Sequence, residues 1–108
     1  MDTCYKSLPF VIKRADRFFL RLKGLMFRKR NLDGEGLWIT PCNSIHMCFM
    51  NFAIDAVFLS RDGEIVKIVE QLEPWRFVSP VRGAHSVVEL PMGTARKYDL
   101  QCGNYLQL

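Results

Sequence analysis

The sequence predicts a mainly β fold, a single-domain β-sandwich or partly closed barrel with one or two short helices. Short runs of β-branched and aromatic residues recur along the 108 residues and are separated by Gly, Pro and Asp. Asp62-Gly63 lies between two such runs, residues 54–59 and 65–69, which is typical of a tight hairpin. Few βαβ units are available, so a doubly wound parallel sheet is not expected.

Strands are predicted wherever apolar residues alternate with other residues or form short β-rich runs. The first has Leu8, Phe10 and Ile12 on one face, with Pro9 suited to a sheet edge. The others are predicted at residues 37–40, 44–50, 54–59, 65–69, 85–90 and 104–108. Residues 72–83 contain two prolines and a glycine, so a long connection is expected there.

Two segments have helical features. In residues 14–23 the apolar residues recur at helical spacing and the arginines occupy a neighbouring stripe, with Gly24 suited to end the helix. Thr94 is predicted to N-cap a short helix over residues 95–100, which Gly103 would close. The basic helix 14–23 is expected either to pack its aromatic face on the sheet or to contact an anionic surface.

Composition limits the classes of function. A hydrophobic content of 49% with 24% charged residues indicates one globular domain, residues 1–108. The net charge of +4 is local, because residues 1–31 hold nine Lys or Arg against two Asp, so nucleic-acid binding is not predicted. No run reaches the roughly 20 apolar residues of a membrane span, and no signal peptide is visible, so we expect a cytoplasmic protein.

The segment from residue 41 to residue 68 carries most of the candidate chemistry. His46, Cys48 and Met50 recur at period two, so an extended chain would place all three on one side. Asn51 and Asp55 follow among apolar residues. Polar groups at such positions must find internal partners or line a cavity.

The chain resembles the domain-of-unknown-function family 192, which consists of short, mostly prokaryotic proteins. The resemblance extends over residues 10–108. Four blocks of sequence carry it, in this order: Gly24-Leu25-Met26-Phe27-Arg28, Gly34-Glu35-Gly36-Leu37, residues 44–59, and Val88-Glu89-Leu90-Pro91-Met92-Gly93-Thr94-Ala95. Cys48 departs from the family's usual aromatic, and Asn104 from its usual Asp. The resemblance implies a compact, mainly β fold and implies no activity.

Several roles are open for the candidate residues. His46, Cys48 and Met50 suit a soft metal, but no second His or Cys is near, so core packing is favoured and no metal or cofactor is predicted. His46 and Asp55 could form an acid–base pair with Cys48 as nucleophile, or Asp55 could satisfy loop amides. Arg28 could grip an anion, or it could pair with Glu35 across the loop.

Our leading hypothesis is a ligand-binding or accessory domain for a small molecule, with a polar pocket around His46 and Asp55. A small enzyme using His46 and Asp55, or an interaction module using the basic helix, is the alternative. The sequence indicates no oligomeric state. The predicted ligand-binding residues are Arg28, His46, Met50, Asn51 and Asp55, with Glu89 at the rim.

Overall fold

Strands dominate the computed structural model, which describes residues 4–15 and 34–108. Its one described helix, α1, covers Thr94–Lys97. The strands are β1 Tyr5–Ser7, β2 Val11–Ala15, β3 Glu35–Ile39, β4 Ile45–His46, β5 Ile54–Leu59, β6 Ile65–Leu72, β7 Phe77–Val78, β8 Ser86–Pro91 and β9 Tyr105–Gln107. The mainly β prediction is confirmed.

The strands form one five-stranded sheet and two small ones. The large sheet has the order β2-β3-β8-β5-β6, and only its β2–β3 pair is parallel. Strands β1 and β9 pair in parallel, and β4 pairs antiparallel with β7. In the part of the chain that the structure describes, no sheet closes into a barrel.

Apolar layers cover both faces of the large sheet. One layer includes Ala56 and Phe58 of β5, and the other includes Val57 and Leu59. Because both faces are covered, all six residues of β5 are buried. The loop that follows β4 supplies Met47, Met50 and Phe52 to the first layer, while α1 and β9 contribute to the second.

The predicted hairpin is present between β5 and β6. Gly63 has φ 88° and its N–H donates to the Ser60 carbonyl at 3.0 Å. The Ser60 hydroxyl accepts hydrogen bonds from the N–H groups of Asp62 and Glu64. The Asp-Gly signal therefore identified the turn correctly, although β6 is three residues longer than predicted.

The predicted helix at 14–23 is wrong at its start. Arg14 and Ala15 belong to β2, where Arg14 pairs in register with Trp38 and places its guanidinium 5.1 Å from the Trp38 ring centroid. Residues 16–23 lie outside the described residues. Among the described helices, none combines the length and the apolar character needed to cross a bilayer.

The second predicted helix forms, with a different cap. Gly93 is the N-cap residue with φ 93°, and Thr94 is already helical. The Thr94 hydroxyl donates to the Pro91 carbonyl at 2.6 Å. The helix ends at Lys97, and Gly103 takes part in the turn before β9 rather than closing the helix.

Candidate functional site

Asp55 is fully buried, and its carboxylate accepts three backbone hydrogen bonds. Oδ2 accepts the N–H groups of Gly93 at 3.1 Å and Ala95 at 2.9 Å. Oδ1 accepts the N–H of Gln71 at 3.0 Å. Gln71 has φ 53° and lies at an irregular point of the β5–β6 ladder. The carboxylate thus joins β5 to the start of α1 and to the end of β6.

His46 has a different set of neighbours. It is half-buried at the end of β4, and its Nδ1 accepts a hydrogen bond from the Cys48 N–H at 3.3 Å. Across the β4–β7 ladder it lies opposite Phe77. The hydrogen bonds that the structure gives His46 and Asp55 therefore go to backbone amides. Catalytic roles for His46, Asp55 and Cys48 remain predictions.

The extended run predicted for residues 44–50 is wrong. Strand β4 ends at His46, and a turn follows in which Phe49 has φ 62°. Met50 is buried in the core while Cys48 is half-buried, so the period-two alignment of His46, Cys48 and Met50 is lost. In the described part of the chain, no three His, Cys, Asp or Glu side chains are grouped closely enough to hold a metal ion.

Glu89 is not at a rim, because only 2% of it is exposed. It lies in the central strand β8, opposite Leu37 on one side and Ala56 on the other. None of the described residues offers a hydrogen bond to its Oε1. Burial raises the pKa of this carboxyl to about 8, so it is largely protonated at neutral pH. Asn51 is exposed, and Arg28 lies outside the described residues.

Two β-turns, one after β4 and one before β7, each have an aromatic residue with positive φ, a conformation that usually belongs to Gly or Asn. In the first, the Met50 N–H donates to the Met47 carbonyl at 3.2 Å and Phe49 is the third residue. In the second turn, the Arg76 N–H donates to the Glu73 carbonyl at 3.3 Å. Pro74 is the second residue of this turn, and Trp75 is the third, with φ 66°. Pro followed by a positive φ is the type II pattern.

The two turns, which we call the aromatic turns, are joined to each other. The Met47 carbonyl also accepts the Trp75 N–H at 2.7 Å, and the Met47 N–H donates to the Arg76 carbonyl at 2.8 Å. The Phe49 and Trp75 rings lie 5.0 Å apart between centroids at an angle of 60°. Because Met47 is fully buried, both turns are anchored in the core.

The aromatic turns combine an unfavourable backbone conformation with a favourable ring contact. A side chain in the left-handed region costs roughly 1–2 kcal/mol, and an aromatic pair returns about 0.5–1.5 kcal/mol. Phe49 remains 48% exposed and Trp75 62% exposed.

A cleft of about 520 Å³ lies beside the aromatic turns, between β6 and β7. Gln71, whose N–H is held by Asp55, lies on one side, and Phe77, which is opposite His46, lies on the other. The lining combines charged, polar and apolar side chains: Lys67, Val69, Glu70, Gln71, Leu72, Glu73, Arg76, Phe77, Val78 and Ser79. The cleft is largely open to solvent.

Sequence reasoning missed the residues that form the cleft. Residues 72–83 were interpreted only as a connection because Pro74, Pro80 and Gly83 break strand periodicity. The available signal was the presence of Trp75 and Phe77 within a Pro-containing loop. Exposed loops carry binding residues more often than core strands do.

The family is shown by comparison with known proteins. The model of the DUF192 family, described as "Uncharacterized ACR, COG1430", matches residues 3–108. The chain belongs to this family. The UPF0127 protein PF1050 of Pyrococcus furiosus is 35% identical over 107 residues, covering 94% of this chain and 90% of its own. A UPF0127 protein of Thermococcus sibiricus is 36% identical over 98 residues, covering 86% of this chain but only 62% of its own.

Two crystal structures share the fold of this DUF192 chain. A protein of unknown function from Novosphingobium aromaticivorans has a TM-score of 0.79 and 24% identity, covering 89% of this chain and 73% of its own. A proposed transcription regulator from Sinorhizobium meliloti has a TM-score of 0.77 and 23% identity, covering 87% and 78%. At these identities the likeness concerns the fold alone.

Proposed function

We propose that this chain is a small binding or accessory domain whose ligand is a polar small molecule held in the cleft between β6 and β7. The cleft itself is the observation that carries the proposal. It combines an exposed aromatic ring, Phe77, with hydrogen-bonding side chains.

The charges around the cleft indicate the kind of ligand. Lys67 and Arg76 are balanced by Glu70 and Glu73, so the lining carries no net formal charge. A polyanion such as a nucleic acid would not be attracted to it. A neutral or zwitterionic molecule with both hydrogen-bond donors and acceptors suits the lining, because the carboxylates accept and the basic groups donate.

The proposed site lies near His46 and Asp55, which support the cleft instead of forming a pocket around themselves. Asp55 supports the cleft from behind by holding the Gln71 amide, and His46 flanks Phe77 in the neighbouring ladder. Met50 and Glu89 are buried, so we assign them to the support of the site rather than to ligand contact. Contacts from Arg28 and Asn51 remain predictions.

The alternative functions have less support. An enzyme would need a nucleophile or an acid–base pair, and His46 and Asp55 have separate partners. The S. meliloti protein's description as a regulator does not favour DNA binding here, since the cleft lining has no net charge. We also propose a cytoplasmic location, supported by four cysteines that are all free thiols.

Ligand-observed NMR with a library of sugars, amino acids and other polar metabolites tests the proposal. We expect wild-type protein to bind at least one compound, and Ser79→Trp, which fills the cleft, to abolish that binding. Arg76→Ala should weaken it about tenfold, the order of one lost charge-assisted hydrogen bond. Arg82→Ala is the matched control, because Arg82 is also exposed and does not line the cleft. Binding that survives Ser79→Trp unchanged would refute the site.

A further inference from the structure

The aromatic turns stand at one end of the cleft. Glu73 and Arg76, the first and last residues of the Trp75 turn, both line the cleft, and so does Phe77. Phe77 is 66% exposed, so three exposed aromatic residues, including Phe49 and Trp75, belong to one region of the surface. The shared Met47 carbonyl holds the two turns in place before any ligand arrives.

We infer that the ligand class is a carbohydrate, a short chain of neutral sugar rings. This inference rests on the proposed function, since it concerns the same cleft. A pyranose ring presents C–H groups on its faces and hydroxyl groups around its edge. The face of an aromatic ring is electron-rich, so it attracts the weakly positive C–H groups of a sugar lying against it. The hydroxyl groups can meanwhile reach donors and acceptors of the cleft.

The lining of the cleft fits the edge of a sugar. Each hydroxyl group both donates and accepts, so it can bond to a carboxylate such as Glu70 and to a donor such as Arg76 at once. Gln71 supplies both functions from one side chain. The absence of net charge on this lining suits a neutral ligand, and sugars need no charged partner.

Other small molecules use fewer of these features. A nucleotide would stack on the aromatic rings, but its phosphates would face Glu70 and Glu73 without an excess of basic groups. A wholly apolar ligand would cover the rings and remove water from four charged side chains without replacing their hydrogen bonds.

Isothermal titration calorimetry with cellotetraose, maltotetraose and chitotetraose tests the inference. We expect at least one of them to bind wild-type protein, and Trp75→Asn and Phe77→Ala each to weaken binding at least tenfold. Asn tolerates the left-handed region, so Trp75→Asn should keep the thermal midpoint close to that of the wild type. Tyr5→Ala is the matched control, because Tyr5 is 59% exposed and does not line the cleft.

The outcomes separate the ligand class from the site. Suppose that none of the tetrasaccharides binds at millimolar concentration, but a different polar compound binds the wild type and does not bind Ser79→Trp. The carbohydrate inference then fails and the proposed function stands. If no compound in the library binds, both fail. Tetrasaccharide binding that is unaffected by Trp75→Asn and Phe77→Ala would overturn the role of the aromatic surface.

Discussion

Asp55 shows how one buried polar residue can organise three distant segments. Its partners Gln71, Gly93 and Ala95 are 16, 38 and 40 residues away in sequence. The sequence predicted that Asp55 needs internal partners, since it lies between apolar neighbours. It could not identify those partners, because they are backbone N–H groups at an irregular point of β6 and at the start of α1. No side chain in the sequence marks such groups.

Replacing Asp55 with Asn should destabilise the fold by about 2–4 kcal/mol. The amide retains one acceptor oxygen, so at least one buried N–H among the three loses its partner and the charge-assisted bonds are lost. Urea unfolding at pH 7 measures the change. Asp62→Asn at the exposed hairpin turn is the control and should stay within about 0.5 kcal/mol. Equal effects of the two substitutions would contradict the carboxylate's structural role.

Glu89 makes stability depend on pH. Burial raises its pKa from 4.5 to about 8 in the folded chain, so the folded state binds more protons than the unfolded state between these values. Stability should therefore fall as the pH rises through this window. Glu89→Gln does not titrate, so its advantage over wild type should grow by about 1.4 kcal/mol per pH unit from about pH 5 to about pH 8.

The measurement for Glu89 is urea unfolding of both proteins at several pH values. Below about pH 4 the difference between the two proteins should no longer change, because the carboxyl is protonated in both the folded and unfolded states. A difference that stays constant from pH 5 to pH 8 would show that Glu89 is already ionised in the folded protein at pH 5.

At the scale of elements, local patterns predicted strands better than turns between them. Strand β5 was predicted with its observed bounds, since its apolar, β-branched run is followed by Asp-Gly. Residues 44–50 share a similar apolar character, yet the chain turns at Cys48 and Phe49. Phe49 has a positive φ, which aromatic residues rarely adopt, so no local sequence rule predicts a turn there. The turn at Phe49 was missed for that reason.

The packing of β3 between β2 and β8 depends on Gly36. A Cβ added at this residue would lie 2.6 Å from Ile12 Cδ1 and 2.9 Å from Leu90 Cδ2. Leu90 is fully buried and has little room to move, so Gly36→Ala should cost about 1–3 kcal/mol. Thermal or urea unfolding measures this loss.

A second substitution makes the test of Gly36 specific. Ile12→Val removes the Cδ1 atom that the new methyl group would meet most closely. The cost of Gly36→Ala should therefore be smaller in the Ile12→Val background than in the wild type. If the costs of the two substitutions simply add, the loss of stability has another cause, such as a changed backbone preference at residue 36.

For the whole molecule, the sequence predicted the mainly β class and the family, and it left the arrangement of sheets undecided. Period-two patterns identify strands without saying which strands pair. The order β2-β3-β8-β5-β6 places β8 between β3 and β5, although it follows both in sequence. Such long-range pairing is decided by how the apolar faces fit together. The prediction of a single domain over residues 1–108 remains a prediction.

The surface of the whole molecule should display two reactive thiols. Cys4 and Cys102 are exposed, while Cys42 and Cys48 are half-buried. The Cys42 thiol donates to the Ser44 carbonyl at 2.8 Å, and the partial burial of Cys42 and Cys48 should make both slow to react. Ellman's reagent should therefore modify two thiols per chain rapidly, and four after unfolding in urea. Rapid modification of Cys42, located by mass spectrometry, would contradict this expectation.

The parallel pairing of β1 with β9 can form only late in synthesis, because the two strands are far apart in sequence. Tyr5 lies opposite Tyr105, and the Ser7 hydroxyl donates to Gln107 Oε1 at 2.9 Å across 100 residues of sequence. A ribosome adds about 5–20 residues per second, so β1 waits on the order of 5–20 s for its partner to be made. During that interval the apolar layer that includes Leu106 lacks one of its members. A nascent chain of this protein is therefore most exposed to chaperones, proteases and aggregation in the seconds before its last strand is synthesised.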